Sequence, residues 1–451
     1  MYTKRLVTTA LAASLANIAP ATPVESSLRP QVRPVAEPAV ATAEPETVIK
    51  ASLARSLRPK ARPDGLEAVA QTPEALTVVA SNPAFDQWVR GFRSRARSAG
   101  ISNAVLDRAF RGVTYNADVI SKDRNQAEFK RQIWDYLDSA ASPERVDLGR
   151  KALRRHNRAL KRIEQAYGVE KEVITAVWGL ESRYGSRTGD IPVIEALSTL
   201  AFDGRRGAFF EKQLIAALKI LQSGDVTPQN FKGSWAGAMG HTQFIPTSYE
   251  AYAVDFTGDG KRDIWSKDPS DALASTAAYL KRFGWRKGMP WGVEVRVPNG
   301  ARLGKTKRMP SDWASRGVVG LDGRAVRDYG AARILQPAGP QGASFMVFAN
   351  FDVIKRYNNA DAYAIGVGHL ADRIAGRPEI QASWPRGYEP VSFEERKEIQ
   401  RILKRKGYPL EKIDGLIGPN TRKSIIAYQQ SIGTKADGHP SRTLLNQLRT
   451  R

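Results

Sequence analysis

The segment from Glu170 to Tyr184 predicts a helix that carries one carboxylate on its apolar face. Val173, Val177 and Glu181 recur at every fourth residue, and this spacing puts their side chains on one side of a helix. Desolvation disfavours the charged form of a carboxylic acid, so a glutamic acid placed there stays protonated to higher pH than an exposed one. A carboxylic acid that is protonated near neutral pH can serve as the general acid that protonates a glycosidic oxygen.

A structural explanation of Glu181 stays open on periodicity alone. The glutamate could form a buried ion pair with Arg183 or Arg187, which follow it closely in the chain. Strongly perturbed carboxylates occur both in active sites and in structural ion pairs, so the spacing does not decide between the two interpretations.

Two loops after this helix carry groups that suit a carbohydrate bearing carboxylates. Arg205 and Arg206 follow an apolar helix, and guanidinium groups bind carboxylates well. Residues 233–240 are mostly small and would let a ligand approach the backbone closely. Residues 241–246 then add an amide and an aromatic ring, both of which suit sugars. These loops shift the balance towards a catalytic glutamate.

Helices and a small β region are predicted to position these groups. From about residue 82 the chain has a globular, mainly helical pattern. Pro143 opens a predicted helix with Ser142 as its N-cap, and this helix runs toward Tyr167. Alternating apolar residues at 293–297 and 343–348 predict strands.

Two motifs follow one another in the chain: residues 178–185, with the sequence WGLESRYG, and residues 237–249, with the sequence GAMGHTQFIPTSY. These motifs, in this order, resemble those of the membrane-bound lytic transglycosylase B family, whose members cleave peptidoglycan. The resemblance extends from residue 82 to about residue 380. It implies a mainly α (α+β) fold, in which a lysozyme-like helical catalytic core is joined by a helical flanking domain and a small β-containing domain.

The resemblance assigns a role to Glu181, which matches the single catalytic acid/base of the family. Further positions match residues of the family's binding cleft, namely Ser234 and Gln243 near the acid, the tyrosines Tyr136, Tyr279, Tyr363 and Tyr357, and the pair Arg205 and Arg206. The arginine pair is expected to contact peptide or carboxylate groups of the substrate. Each tyrosine could also be an ordinary core residue, since buried tyrosines commonly pack in this way.

The implied reaction needs only one carboxylate. Glu181 protonates the oxygen that leaves C1 of MurNAc in the β-1,4 bond to GlcNAc, and the C6 hydroxyl of the same sugar then attacks C1. Glu181 takes the proton of that hydroxyl, which gives a 1,6-anhydroMurNAc end. An ordinary glycosidase needs a second carboxylate, whereas an internal nucleophile adds the advantage of proximity. The expected enzyme is a peptidoglycan lytic transglycosylase without a catalytic cofactor; a hydrolytic muramidase and a non-catalytic wall-binding scaffold are the alternatives.

An acidic loop resembles the start of an EF-hand. Asp255, Thr257 and Asp259 place oxygen donors at positions 1, 3 and 5, and a glycine at position 6 permits the sharp turn. Lys261 would contribute its backbone carbonyl. The family closes a lengthened loop with a later aspartate, and Asp271 matches that position. The expected ion is a structural Ca²⁺, because the acid/base step has no use for one; a metal-free turn rich in Asp and Gly is the alternative.

The C-terminal residues 391–451 resemble the peptidoglycan-binding type 1 domain, a three-helix module. The phrase DGLIGPNT at residues 414–421 carries this resemblance. Such a module would raise the effective concentration of the enzyme at a polymeric substrate. A generic three-helix bundle is the alternative. The candidate wall contacts are Asp414, Gly418, Thr421 and Tyr428.

The remaining segments predict export and a modular chain. Lys4 and Arg5 precede an apolar run and a small-residue cleavage site, the pattern of a secretory signal peptide at residues 1–21. The predicted order continues with a disordered Pro/Ala/Arg-rich linker, the catalytic domain, a second linker and the wall-binding module, at residues 22–81, 82–380, 381–390 and 391–451.

The amino-acid composition limits the classes of site and of binding partner that this protein can have. The 451 residues include no cysteine and carry a net charge of +23. The lack of cysteine excludes disulfides, thiolate metal sites, thiol nucleophiles and acylation of an N-terminal cysteine. The positive charge is spread over the whole chain, which favours a polyanionic polymer as partner over the concentrated basic surface typical of nucleic-acid binding. We therefore expect a monomeric periplasmic protein that acts on peptidoglycan strands, with no membrane anchor and no nucleic-acid partner.

Overall fold

The computed structural model describes residues 82–124, 132–301, 303–304, 306–387, 389 and 391–450. The predicted signal peptide and the first linker lie outside these residues. In the described part of the chain helices dominate, and short strands form two small antiparallel sheets. The expected mainly helical fold with a small β region is thereby confirmed. No helix in these ranges is long and apolar enough to cross a membrane.

Helices before residue 390 build the core and its flanking layers. Their bounds are α1 Pro83–Ser98, α2 Asn103–Ala109, α3 Ala117–Arg124, α4 Ile133–Ala140, α5 Pro143–Arg155, α6 Asn157–Tyr167, α7 Lys171–Ser182, α8 Val193–Asp203, α9 Gly207–Ser223, α10 Pro246–Tyr252, α11 Ser270–Arg282, α12 Pro310–Ala314, α13 Ala349–Tyr357 and α14 Asp361–Ile374. One hydrophobic cluster extends from α1 to α14, with α7 packed among α5, α6, α11 and α14.

Capping residues mark the helix starts that the sequence indicates. The Ser142 side chain accepts a hydrogen bond from the Arg145 amide at 3.3 Å, and Pro143 occupies the first turn of α5. The helix predicted from Pro143 toward Tyr167 is divided in two, because His156 ends α5 and immediately precedes α6.

The strands form a two-stranded pair and a four-stranded sheet. Their bounds are β1 Ile191–Pro192, β2 Lys232–Gly233, β3 Gly292–Arg296, β4 Val319–Gly320, β5 Arg333–Leu335 and β6 Ser344–Val347. β1 pairs with β2, and the larger sheet has the order β4-β3-β6-β5, with every pairing antiparallel. The predicted strands at 293–297 and 343–348 correspond to β3 and β6. Trp313 and Phe348 belong to a second hydrophobic cluster under this sheet.

The C-terminal module consists of α15 Phe393–Arg405, α16 Pro419–Ser431 and α17 Arg442–Thr450. Ser392 and Glu395 form a capping box at the start of α15, so the beginning of the module is well defined. Its own hydrophobic cluster includes Leu403, Ile425 and Leu445. The expected three-helix module is thus present in the structure.

This module packs against the core. The ring of His439 lies 5.6 Å from that of Trp134 on α4, and Trp134 also contacts Trp384. Arg422 donates a hydrogen bond to the carbonyl oxygen of Pro337, between β5 and β6, at 2.8 Å. The module therefore contacts both the helical core and the β region.

Candidate active site

Helix α7 places Glu181 inside the core. Every residue from Ile174 to Ser182 is buried, and Glu181 is 4% exposed. α14 packs along α7, while α5, α6 and α11 contact its other sides. The structure thus puts the glutamate on a buried helix face, as its spacing predicts.

The end of α7 is a strained turn that the sequence pattern did not anticipate. The helix ends at Ser182, and Arg183 and Tyr184 adopt left-handed conformations with φ of 50° and 57°. Such conformations are unfavourable for residues other than glycine. The Ser182 hydroxyl stabilises the turn by accepting from the Gly185 amide at 2.9 Å and donating to the His241 carbonyl oxygen at 2.5 Å. The last turn of α7, which carries the glutamate, is held in this way.

Tyr184 folds back over the helix that it follows. Its hydroxyl donates to the carbonyl oxygen of Arg145 at 2.8 Å, and burial raises the pKa of Tyr184, so the hydroxyl stays protonated. A Cβ atom at Gly179 would lie 2.5 Å from the Tyr184 ring, so only glycine fits there. Arg183, considered above as a partner of the buried glutamate, forms an ion pair with Glu144 of α5.

Tyr363 of α14 contacts the glutamate directly. Its hydroxyl donates a hydrogen bond to Oε1 of Glu181 at 2.6 Å, and both side chains are buried. The ring of Tyr357, at the end of α13, lies parallel to that of Tyr363, with centroids 6.5 Å apart. The sequence could not show this contact, because 182 residues separate Tyr363 from Glu181.

An aromatic cluster continues from this pair. The Tyr357 hydroxyl donates to the carbonyl oxygen of Thr242 at 2.6 Å, and the Tyr279 hydroxyl donates to that of Arg356 at 2.5 Å. The Tyr279 and Tyr357 rings meet edge to face at 5.1 Å, and both lie near Phe244. The Tyr357 hydroxyl thus holds the loop before α10 in place, whereas the Tyr279 hydroxyl joins α11 to α13.

That loop carries Ser234 and Gln243. The Ser234 hydroxyl accepts from the Ala238 amide at 3.0 Å, which closes a tight turn. Gln243 has a left-handed backbone, and its Nε2 donates to the carbonyl oxygens of Thr188 and Gly240 at 2.9 and 2.8 Å. Both hydrogens of this amide nitrogen are therefore used, and Oε1 is the atom that remains for a ligand.

Tyr136 reaches the same region from α4. It is half-buried against α14, where a Cβ atom at Gly366 would lie 3.0 Å from its ring and 3.5 Å from Leu180. Leu180 precedes Glu181, so Tyr136 lies at the end of α7 that carries the glutamate.

Arg205 and Arg206 have an internal partner. They lie between α8 and α9, and both guanidinium groups bind the carboxylate of Asp123 on α3. Asp123 is 3% exposed, whereas half of the Arg205 side chain remains in solvent. The arginine pair expected to contact substrate carboxylates thus neutralises a buried aspartate of the protein itself.

His241 is a structural residue of the site to which the sequence assigned no role. Trp178 of α7 donates from Nε1 to Nδ1 of His241 at 3.1 Å, so the proton of the neutral ring lies on Nε2. Nε2 then donates to the carbonyl oxygen of Ser266 at 2.7 Å. Burial lowers the pKa of His241 and keeps the ring neutral. His241 therefore joins α7 to the end of the acidic loop. In the sequence, the only indication of this role is that His241 directly follows Gly240 in the small-residue motif.

The acidic loop brings three carboxylates together. Oxygen atoms of Asp255, Asp259 and Asp271 lie within 4.8 Å of one another. Asp271 is buried at the start of α11 and accepts from the amides of Phe256, Thr257 and Asp263, although burial still raises its pKa. The structure thus brings the distant Asp271 to the loop, as the resemblance implies. The Thr257 hydroxyl bonds to Asp255, and the Lys261 amide donates to Asp259.

The four candidate wall contacts of the module serve mainly its own folding. Thr421 and Tyr428 are buried, and the Tyr428 hydroxyl donates to the carbonyl oxygen of Gln447. Asp414 accepts from the Leu416 amide and from a side-chain amide, and Gly418 is the N-cap of α16. By contrast, the apolar side chain of Leu416 in the same turn is 65% exposed.

Comparison with known families matches two parts of the chain. The family of the transglycosylase SLT domain matches residues 84–372, and the family of a peptidoglycan binding domain matches residues 393–448. The chain is also 36% identical over 247 residues to the membrane-bound lytic murein transglycosylase B of Escherichia coli K12. That alignment covers 53% of this chain and 66%, just under two thirds, of the relative.

Solved structures of similar proteins cover more of the chain. SltB3 from Pseudomonas aeruginosa, in complex with NAG-anhNAM-pentapeptide, is 47% identical with a TM-score of 0.76, and the match covers 82% of this chain and 100% of SltB3. The lytic transglycosylase Slt35 of Escherichia coli, in complex with calcium, is 32% identical with a TM-score of 0.56, over 66% of this chain and 94% of Slt35.

Proposed function

The chain belongs to the family of proteins with a transglycosylase SLT domain, and on that premise we propose that it is a lytic transglycosylase that cleaves peptidoglycan strands. The observation that carries the proposal is the buried carboxylate of Glu181 held by the Tyr363 hydroxyl. The similarity to SltB3, which binds NAG-anhNAM-pentapeptide, supports an anhydro sugar as the product.

Glu181 acts first as an acid and then as a base. Tyr363 donates to Oε1, so that oxygen is an acceptor and Oε2 carries the proton to the glycosidic oxygen. Charge develops on the carboxylate as the bond to C1 of MurNAc breaks, and the short hydrogen bond from Tyr363 stabilises that charge. When the C6 hydroxyl of the same sugar attacks C1, its proton passes to the carboxylate, which restores the starting acid.

A single carboxylate suffices because the sugar supplies its own nucleophile. Asp190 and Asp203 are two of the acids that lie near Glu181 in sequence. Asp190 is exposed, and Asp203 pairs with Arg124 at 2.7 Å. These positions agree with surface and structural roles, and they favour intramolecular attack over the water activation of a two-carboxylate glycosidase.

The residues around the glutamate form the proposed binding cleft. Gln243 offers Oε1 to a sugar hydroxyl or amide, and Ser234 lies in the turn beside it. Tyr136 offers a half-buried ring at the end of α7, while Tyr279 and Tyr357 support the wall that carries Tyr363. We assign Arg205 and Arg206 to the rim, where the exposed half of Arg205 can meet an anionic group while Asp123 holds both side chains.

Product analysis of digested sacculi tests the proposed function. Wild-type protein is expected to release muropeptides whose MurNAc ends are lighter by one water than hydrolytic products, as measured by mass spectrometry. Glu181→Gln keeps the size of the side chain but removes the acid, so release should fall by at least about a thousandfold, the scale of general acid catalysis combined with charge stabilisation. Asp190→Asn is the matched control and is expected to retain wild-type rates.

The alternatives give different results in the same assay. Products with only reducing ends would identify a hydrolytic muramidase. If Asp190→Asn then also lost activity, Asp190 would be the second catalytic carboxylate of that muramidase. Unchanged release by Glu181→Gln would refute the assignment of the acid. A wild-type protein that binds sacculi without releasing fragments would be a scaffold.

A structural calcium ion is the second part of the proposal. The three converging carboxylates of Asp255, Asp259 and Asp271 suit a hard cation that prefers oxygen ligands, and the donor set therefore fits Ca²⁺. Thr257 and the Lys261 carbonyl complete the proposed set, and the similarity to the calcium-bound Slt35 supports it. The ion would neutralise like charges in the loop that His241 joins to α7.

Thermal unfolding tests the calcium site. At a Ca²⁺ concentration 100 times the Kd, binding adds about 2.7 kcal/mol of stability, and we expect the Tm to rise by about 5 °C. Asp259→Asn removes one charge from an exposed ligand while keeping an acceptor for the Lys261 amide, so its Tm without the ion should stay close to wild type. The response to Ca²⁺ should be lost. An equal response in wild type and variant would exclude this ligand set.

The module and the location complete the proposal. Residues 393–448 match a peptidoglycan binding domain, which supports attachment of the enzyme to the polymer that it cleaves. Peptidoglycan lies outside the cytoplasm, so a periplasmic site of action accords with the signal peptide expected at residues 1–21. The monomeric state remains a prediction that sedimentation analysis can check.

A further inference from the structure

A hollow of about 560 Å³ lies directly beside the proposed cleft. Its walls come from the segment around Gly189, the connection after α9 and the acidic loop up to Lys267. Thr188 in this wall accepts the hydrogen bond from Gln243, and a Cβ atom at Gly189 would lie 2.2 Å from the Gly233 backbone. Thr188 and Gly189 therefore line the hollow and also contact the loop that carries Ser234 and Gln243, so this segment forms the wall between the hollow and the cleft.

Positive charge surrounds this hollow. Lys232, Lys261 and Lys267 line it, and all three are exposed. Within the described ranges, no carboxylate lies within 4.0 Å of any of their ammonium groups. Three cations around one concave surface create a local positive potential, which attracts anionic ligands.

The two carboxylates in the walls differ in their partners. Asp225 binds the guanidinium and amide of Arg262, which offsets its charge, whereas Asp263 accepts from the neutral amides of Trp265 and Ser266 and keeps its charge. The three lysines outnumber these carboxylates, so the lining of the hollow carries a net positive charge.

Uncharged polar groups complete the lining. Thr227, Gln229 and Asn230 lie exposed in the connection between α9 and β2. Their hydroxyl and amide groups can donate to and accept from a peptide backbone, while the lysines would bind carboxylates. A ligand that offers both peptide bonds and negative charge fits this combination better than a neutral glycan does.

We propose that this lysine-lined hollow binds the anionic stem peptide of the peptidoglycan strand. The inference rests on the proposed function, since the peptide is carried by the MurNAc residue that the cleft would hold. A stem peptide has free carboxylates, including the one at its terminus, and extends sideways from the glycan chain. The shared wall of the hollow and the cleft lets a single strand occupy both sites, with its sugars beside Glu181 and its peptide among the lysines.

The test compares substrates with and without peptide. One is a preparation of glycan strands that carry stem peptides, and the other is the same preparation after an amidase has removed them. Lys232→Gln/Lys267→Gln removes two charges from exposed side chains and leaves the carbonyl of Lys261 in place. Exposed ion pairs are individually weak, so we expect kcat/KM on peptide-bearing strands to fall about three- to tenfold, mainly through KM. On the stripped strands kcat/KM should equal that of wild type.

Controls separate this site from a general effect of charge. Lys151→Gln removes an exposed cation from α5, away from the hollow, and should alter neither substrate. Raising the salt concentration should reduce the preference of wild type for peptide-bearing strands. Equal loss on both substrates, or no loss on either, would overturn the stem-peptide site. Absence of cleavage by wild type on both substrates would instead refute the proposed function.

Discussion

Replacing Tyr363 by phenylalanine removes one hydroxyl group from the buried pair with Glu181. The ring remains able to stack on that of Tyr357, whose centroid lies 6.5 Å away, and the change removes the hydrogen bond of 2.6 Å to Glu181. That bond favours the charged carboxylate over the protonated acid, because a hydroxyl donates more strongly to a negative oxygen. Two consequences follow, one for the rate and one for its pH dependence.

The expected loss of rate follows from the charge on the oxygen that accepts the Tyr363 hydrogen bond. A hydrogen bond to a charged group contributes about 1.5–3 kcal/mol, and 1.4 kcal/mol corresponds to a factor of ten. In Tyr363→Phe the carboxylate that forms in the transition state loses this stabilisation, so kcat should fall about ten- to a hundredfold. The protonated acid is also favoured by the same amount, so the alkaline limb of the pH–rate profile should move up by about one to two pH units.

The assay is release of soluble muropeptides from sacculi across a series of pH values. Tyr357→Phe is the matched control, since it removes a neighbouring hydroxyl that donates to the Thr242 carbonyl oxygen rather than to a carboxylate. The alkaline limb should stay in place in this control, whatever the change in rate. A Tyr363→Phe enzyme with the wild-type limb and wild-type kcat would refute the acid/base role given to this pair.

Further predictions concern stability and wall binding. Burial lowers the pKa of His369 and of His439 to about 4, below the unfolded value of about 6.5, so the unfolded chain binds more protons below pH 6.5. The free energy of unfolding, measured by urea denaturation, should therefore be highest above pH 6.5 and fall towards pH 4, by up to about 3 kcal/mol per histidine. Gly179→Ala forces a methyl group against the ring of Tyr184, and calorimetry should show a loss of about 1–3 kcal/mol or more. Leu416→Ser, which removes an exposed apolar side chain from the module, should weaken sedimentation with sacculi about threefold to tenfold while cleavage of short soluble strands stays unchanged.

Local patterns in the chain were sufficient for several conclusions. Periodicity placed Glu181 on a buried helix face, the serine and proline at 142–143 marked the start of α5, and alternation located β3 and β6. These features depend on neighbouring residues along one element, and their spacing is visible in the sequence. The ends of elements were less predictable, because the left-handed turn at Arg183 and Tyr184 is held by hydrogen bonds from segments distant in the chain.

The partners of the charged groups required the folded chain. The resemblance implies that Arg205 and Arg206 contact the substrate, and the structure adds that both bind the buried Asp123 of α3. No spacing rule links residues so far apart, and the free energy of burying a carboxylate decides the pairing. For the same reason, the sequence could not predict that His241 bonds to both Trp178 and Ser266, because α7 and the acidic loop meet only in the folded chain.

The sequence by itself determined the residue types available for chemistry, the element that carries the acid, and the family to which these motifs point. These features depend on the identity of each side chain and on its near neighbours in the chain. Only the tertiary structure decided which oxygen of Glu181 receives the Tyr363 hydroxyl, how closely the three carboxylates of the acidic loop approach one another, and that three lysines gather beside the cleft. These are long-range contacts, and they are fixed by the packing of whole helices and loops rather than by any local preference of the chain.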